Sequence, residues 1–233
     1  MSLKSDLNRF VDRFKNLARD DLRELGASTV QIGDFKNCLV QYKDRLSLLR
    51  KCLLAAKSDG YALEFGVHKG RSISFLAQLS PERQWFGFDS FVGLPEDRAL
   101  SEKKTYPSGF FALDALPKVP TNVTLVKGMF EDSLPSWLSS NSGSISFLHI
   151  DFDLYNSAKC ILDHLNDRIA PGTVIVFDEL GDWMDSGAYP NWREGEWRAL
   201  CEWLDEKDRC IGVLGRGPKF SAGSWCSVKK YAS

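Results

Sequence analysis

Up to about residue 57, apolar positions recur with the period of a helix. Phe10, Val11, Phe14, Leu17 and Ala18 fall on one helical face, and Leu39, Tyr42, Leu46, Leu49, Leu53 and Leu54 form a second run, with a break between Gly26 and Gly33. From Tyr61 the texture changes. Short apolar runs bounded by turn residues predict strands over 61–66, 84–89, 123–128, 145–151 and 173–178. Helical spacing over 72–79, 134–139 and 157–169 lies between most of them. Strands alternating with helices imply parallel pairing through right-handed crossovers, hence an open sheet covered on both faces. A further amphipathic helix over 193–208, then strands over 210–215 and 224–231 joined by Arg216-Gly-Pro-Lys, close the chain with an antiparallel pair. The expected fold is α/β: a Rossmann-like, seven-stranded, mostly parallel sheet with helices on both faces. Residues 1–57 read as a helical extension, either a lid or a dimer contact, and 58–233 as the ligand-binding domain.

Composition narrows the possible partners. At 233 residues, 43% of them apolar and including 15 Phe and 7 Trp, the chain supports one large core. Thirty basic residues against 31 acidic leave no basic excess of the kind nucleic-acid binding needs. The six cysteines (Cys38, Cys52, Cys160, Cys201, Cys210 and Cys226) are scattered with no C-x-x-C pair, which reads as free thiols in a reducing compartment. No apolar stretch approaches the roughly 20 residues of a membrane span. The first residues lack the apolar core of a secretion signal, so the expectation is a cytoplasmic protein without a membrane partner.

The most informative residues follow the first predicted strand: Leu63-Glu-Phe-Gly-Val-His-Lys-Gly-Arg-Ser72. In open α/β sheets, ligands bind beyond the carboxyl ends of the strands, where this loop falls. A dinucleotide fingerprint would have a glycine between Gly66 and Gly70 so that backbone approaches a pyrophosphate, and here that position is His68. S-adenosylmethionine has no pyrophosphate. Glu64 would repel a diphosphate yet suits the cationic amine of a methionine moiety. Asp89, ending the second strand, has the acceptors for a pair of ribose hydroxyls. The expected cofactor contacts are Glu64, Phe65, Gly66, Gly70, Ser72, Asp89, Ser90, Gly128, Met129 and Asp151. Two plainer readings stand beside this one: Gly66 and Gly70 as ordinary strand-to-helix turn residues, and Met129 with Phe130 as core.

Four segments together carry a resemblance: Glu64-Phe-Gly-Val-His-Lys-Gly, Phe88-Asp-Ser-Phe-Val-Gly-Leu-Pro95, His149-Ile-Asp-Phe-Asp-Leu-Tyr-Asn-Ser157 and Pro171-Gly-Thr-Val-Ile-Val-Phe-Asp178. Over about residues 44–205 the chain resembles the macrocin O-methyltransferase group, class I enzymes that methylate sugar hydroxyls on macrolides with the help of a divalent metal. The resemblance implies a methyltransferase using S-adenosylmethionine on a small-molecule acceptor. Two departures stand out. The family's further glycine near 68–69 is missing, and its fifth strand usually ends in Asp-Asp, where this chain has Asp178-Glu179. Relatives with the same signatures include hydroxylase-like proteins.

The fourth strand ends in Asp151-Phe-Asp153 and the fifth in Asp178-Glu179. Adjacent strand tips lie roughly 5 Å apart, so Asp151, Asp178 and Glu179 are the candidate ligands of a magnesium or similar ion. Carboxylates gathered without a cation would drive each other's pKa upward. Catechol-type O-methyltransferases are similar at these tips but have a basic residue where Leu154 stands. Asp151, Asp153 and His149 are therefore the candidate proton-handling residues, with a core histidine as the plainer reading of His149 and turn capping that of Asp178 and Glu179. The loop over 181–195, with Trp183, Tyr189 and Trp192, is either an acceptor-stacking lid or a loop packed on its own aromatics. The stretch 106–116, with Phe110 and Phe111, is a second candidate wall, and His68 could face the acceptor. The N-terminal helices offer a surface for a homo-oligomer. Three other functions remain in play: a nicotinamide-dependent dehydrogenase, a non-catalytic protein on the methyltransferase fold, and a hydroxylase-like activity. The scarcity of histidines (three) speaks against non-haem iron in the last.

Overall fold

The computed structural model describes residues 35, 38, 40–57, 59–101, 104–152, 154–217 and 220–228. In chain order these form helix α1 (Arg45–Ala55), β1 (Tyr61–Phe65), α2 (Arg71–Leu79), β2 (Trp85–Asp89), β3 (Arg98–Ser101), β4 (Lys104–Tyr106), β5 (Val123–Lys127), α3 (Phe130–Ser140), β6 (Ile145–Ile150), α4 (Tyr155–Leu165), β7 (Ile169–Phe177), α5 (Glu196–Glu206), β8 (Arg209–Arg216) and β9 (Ala222–Val228). Seven strands make one sheet in the order β5-β2-β1-β6-β7-β9-β8. The first five are parallel, while β9 runs antiparallel to both β7 and β8. This is the predicted Rossmann-like arrangement, with the antiparallel pair closing one side. The separate β3–β4 ribbon was not anticipated.

The strands are apolar on both sides because helices cover both faces. On one face Leu63, Phe65, Phe86, Phe88, Leu148 and Ile150 pack with α3, α4 and α5. On the other, Ala62, Trp85, Phe147, Val174 and Val176 pack with α1 and α2. Alternation along a strand assigns Glu64, His149 and Asp178 to this second face.

The helical run expected from Leu39 begins later. Tyr42 donates its N–H to the Arg216 carbonyl (3.0 Å) and Arg216 donates back to Val40 (3.1 Å), so residues 40–42 lie along the edge of β8 before α1 starts. Asp44 caps α1 by accepting the N–H and the hydroxyl of Ser47, both at 2.8 Å. Leu48, Leu49, Cys52 and Leu53 are buried beneath that helix. The earlier predicted helix, with Phe10 to Ala18, and the oligomer surface assigned to it lie outside the described residues. All six cysteines are free thiols. No helix among the described residues is long and apolar enough to cross a membrane.

Candidate active site at the strand tips

The loop between β1 and α2 is wound through left-handed backbone. Gly66 has φ 90°, His68 46° and Gly70 71°. The position where the family's glycine is missing therefore still adopts a glycine-like conformation, which histidine enters more readily than most residues. It is held there because the His68 N–H donates to Asp89 Oδ2 at 2.7 Å. The other carboxylate oxygen of Asp89 accepts the Phe91 N–H, also at 2.7 Å. Two main-chain donors thus fix Asp89 at the tip of β2, half-buried, with acceptor capacity left on each oxygen. Ser90 follows it and donates to the Gly93 carbonyl at 3.3 Å. Gly128 and Met129 follow β5, and Phe130 packs edge-on against Phe65. A cleft of about 470 Å³ runs from Gly128 along α3 to Asn141, beside the edge strand.

Behind the loop lies a buried charge cluster. Glu64 is fully buried, accepting from the Ser72 hydroxyl at 2.9 Å and facing His149 Nδ1 at 2.8 Å. His149 is equally buried, and its Nε2 stands 4.0 Å from Asp178 Oδ1, within ion-pair range but beyond a hydrogen bond. Burial acts to lower the imidazole pKa, but Asp178 and Glu64 outweigh it and push it up to about 9. His149 is therefore an imidazolium sealed inside the sheet face, with no surface for an acceptor.

Arg45, the first residue of α1, reaches over this cluster. Its Nε donates to Asp178 Oδ1 and its Nη2 to Asp151 Oδ2. Burial tends to raise the Asp178 carboxyl, yet His149 and Arg45 hold it below the usual range. Asp151 goes the other way: burial, then the charge of Asp178, push it up to about 8 against the pull of Arg45 and His149. Among the described residues, no group of three or more His, Cys, Asp or Glu is arranged to hold a metal ion. The anticipated cation between Asp151 and Asp178 is a guanidinium, and the residues as placed do not fit a divalent ion. Glu179 follows at the end of the fifth parallel strand. Its N–H donates to Glu196 Oε2 at 3.2 Å. Asp153 lies outside the described residues.

With the geometry in place, comparison with known proteins gives a family. A family model described as a methyltransferase domain matches residues 63–180. The chain belongs to this methyltransferase family. The match runs from within β1 to just past β7 and so contains every strand tip of the site, though not Arg45, and it favours the methyltransferase reading over the dehydrogenase one. The chain is also 28% identical, over 159 residues, to 8-demethyl-8-(2,3-dimethoxy-alpha-L-rhamnosyl)-tetracenomycin-C 4'-O-methyltransferase of Streptomyces olivaceus; the alignment spans 58% of this chain and 59% of that relative. Two solved structures share its fold. The calicheamicin methyltransferase CalS11 has a TM-score of 0.56 at 21% identity, covering 97% of this chain and 93% of its own. The O-methyltransferase NovP has a TM-score of 0.55 at 19% identity, covering 79% and 80%.

Of the two candidate acceptor walls, the structure separates one from the other. Trp183, Tyr189 and Trp192 are all buried. Trp183 stacks on Phe35 at 5.6 Å and donates its indole N–H to the Ser221 carbonyl at 3.1 Å, while Trp192 packs edge-on against Trp197. This loop is packed on aromatics from outside it, Phe35, Trp197 and Phe220, and is no stacking lid. By contrast Phe110 and Phe111 are exposed, and with Tyr106 they form a contiguous aromatic set. His68 reaches this set edge-on to Phe111 at 5.3 Å.

Two residues escaped the sequence reading. Arg45 sits in a helix whose docking face is set only by tertiary packing. Glu196 opens α5 and is fully buried, with Oε1 lacking a hydrogen-bond partner and its carboxyl pushed well up by burial and by Glu179. Its one signal was a carboxylate directly after a glycine at a helix start.

Proposed function

We propose that the chain is an S-adenosylmethionine-dependent O-methyltransferase acting on a hydroxyl of a small, sugar-bearing molecule. The observation that carries the reading is Asp89, pinned by two backbone N–H groups at the β2 tip beside the left-handed loop of Gly66 to Gly70. Its remaining lone pairs suit vicinal ribose hydroxyls; a dinucleotide site uses such an acid too, and it is His68 in place of the middle glycine that disfavours a pyrophosphate. The start of α2, at Arg71, directs its free N–H groups and positive dipole end to the same place and suits the methionine carboxylate. Glu64, fully buried and paired with His149, orients Ser72 at the start of α2. Phe65, Gly128 and Met129 border the base. When bound, the cofactor supplies a methyl group on a sulfonium centre that an oxygen nucleophile can attack.

The chain's part in the reaction is to hold the acceptor and take its proton. Asp151, with its pKa raised to about 8, is unusually basic for a carboxylate, so its ionised form, which predominates above pH 8, can accept a hydroxyl proton. The wall of Tyr106, Phe110 and Phe111 suits the apolar face of a sugar or its aglycone. The named specificities of the tetracenomycin and calicheamicin enzymes, and the resemblance to the macrocin group, support a sugar hydroxyl as the target. In this reading residues 58–233 are the cofactor-binding domain, and α1 of the preceding extension covers its strand tips. No step runs through a metal ion.

Calorimetric titration with S-adenosylhomocysteine tests the cofactor assignment. We expect binding, and a weakening of about 10- to 100-fold in Asp89→Ala, the loss of one or two hydrogen bonds. Absence of binding at millimolar ligand rejects it. Release of S-adenosylhomocysteine over a panel of glycosylated acceptors then reads the reaction itself.

A further inference from the structure

Asp151 and Asp178 end neighbouring strands, and a cation between them is what their proximity demands. We propose that Arg45 is that cation: a guanidinium built into α1 takes the place of a divalent metal, making the site metal-independent and making Arg45 the residue that positions Asp151. The inference rests on the methyl-transfer reading for its consequence, but its geometry stands apart from that reading.

Arg45 is not a wandering surface side chain. Asp44 caps the helix immediately before it. The segment ahead is tied to the β8 edge by the exchange between residues 40–42 and Arg216. Leu48, Leu49, Cys52 and Leu53 seat the helix on the sheet, so closely that a Cβ on Gly223 of β9 would fall 2.2 Å from Cys52 Sγ. From that fixed start the planar fork reaches one oxygen of each carboxylate, Asp178 through Nε and Asp151 through Nη2. The groups around the fork are all ionisable: the two aspartates, with His149 and Glu64 beneath them. The Arg45 guanidinium thus places a positive charge directly between the two aspartates, where a divalent ion would otherwise sit. A magnesium ion would require several of the same oxygens in a near-octahedral shell. It would have to evict the guanidinium, break two charge-assisted hydrogen bonds and unseat the start of α1.

The consequence for catalysis is orientation. With one oxygen of Asp151 held by Arg45, the other is free to face an acceptor hydroxyl. Removing the guanidinium leaves Asp151 and Asp178 facing each other across an uncompensated gap, which a divalent cation could then enter.

The test is a titration of the full chain with magnesium and manganese chloride, followed by calorimetry and thermal unfolding, with and without S-adenosylhomocysteine. We expect no metal-dependent heat or melting shift at millimolar metal in the wild type, and turnover unaffected by EDTA. Arg45→Ala should lose about a hundredfold in kcat, as expected of a misplaced proton acceptor, with S-adenosylhomocysteine affinity changed less than about twofold. It should also acquire a magnesium-dependent rise in melting temperature, while Arg45→Lys should recover part of the turnover. Submillimolar metal binding by the wild type, or EDTA inhibition reversed by magnesium, overturns the assignment. If Arg45→Ala does not fold, the wild-type titration and Arg45→Lys decide the matter. Because the metal titration is also run without cofactor, failure to bind S-adenosylhomocysteine counts against the methyltransferase reading and not against Arg45.

Discussion

A single methyl group at the tip of β1 should show how tightly the site is built. Gly66 has φ 90°, and a Cβ there would lie 1.9 Å from the main-chain oxygen of Asp151. The obstacle is backbone, so no rotamer change relieves it. Strands β1 and β6 would have to part where the Asp151 N–H donates to the Phe65 carbonyl at 2.9 Å, and the Gly66 N–H bond to the Phe88 carbonyl, also 2.9 Å, would strain with them. The left-handed backbone alone costs Gly66→Ala about 1–2 kcal/mol. A weakened interstrand hydrogen bond adds about 1 kcal/mol, and the forced separation about 1–3 kcal/mol. A loss of about 4 kcal/mol overall corresponds to a melting temperature lower by roughly 8–16 °C for a domain of this size. Gly109→Ala is the control, since Gly109 has φ 78° but nothing within 4 Å of its Cβ position. It should lose only the conformational part, about 1–2 kcal/mol. Urea unfolding of both variants, followed by circular dichroism, gives the comparison directly. Equal destabilisation of the two would mean that the approach of β6 to β1 imposes no constraint, and the steric reasoning would be refuted.

Four further outcomes follow from the same geometry. His149 has a folded-state pKa of about 9, above the unfolded value near 6.5, so its contribution is complete below pH 6.5 and is lost as the pH rises through 9. About 3 kcal/mol of stability should disappear over that window, and His149→Gln should flatten the profile of urea midpoint against pH; a wild-type profile flat from pH 6 to 10 would contradict it. Glu196, raised well above the usual carboxyl range, folds protonated and destabilises increasingly as pH rises above the unfolded glutamate value. Glu196→Gln should therefore be near neutral at about pH 4 and increasingly stabilising toward pH 9, and a loss of several kcal/mol at both would show that the buried carboxyl is ionised. Trp183→Ala should cost about 3–5 kcal/mol in a thermal or urea melt, as for a buried core aromatic. Phe110→Ala and Phe111→Ala should instead leave stability within about 0.5 kcal/mol while raising KM for the acceptor, and an unchanged KM would remove the aromatic wall from the site.

The sheet was legible because parallel strands covered on both faces read as short, uninterrupted apolar runs. The runs over 61–66, 84–89 and 123–128 match β1, β2 and β5 to within about a residue, as buried strands should. The tip residues Glu64, Asp89, Asp151 and Asp178 then follow from where each run stops. Failures came where local pattern and tertiary partner disagree. Tyr42 fits a helical period with Leu46 and Leu49, yet it runs along the β8 edge, a pairing about 175 residues away in sequence that no window can see. The β3–β4 ribbon carries too few apolar residues to declare itself. Trp183, Tyr189 and Trp192 looked like a lid because aromatic, glycine-rich loops are common at binding edges. What decided against it was Phe35 and Phe220, partners that the loop's own composition does not reveal.

The carboxylate cluster separates what charge arithmetic can settle from what it cannot. Asp151 and Asp178 at adjacent tips require positive charge nearby, and that requirement is visible in the sequence alone. The identity of the charge is not, because a metal ion and a guanidinium answer the same electrostatic demand. Parity offered a clue. Glu64, His149 and Asp178 alternate onto one face of the sheet, so any organic cation had to come from a helix covering that face. An arginine at the first position of such a helix, directly after a capping aspartate, points out beyond the strand tips instead of along the sheet. Arg45 meets that condition, since α1 runs over β7 and β9 with its N-terminus toward Asp178. The general consequence is that an acidic pair at the ends of parallel strands counts as a metal site only after the first turn of each covering helix has been searched for arginine.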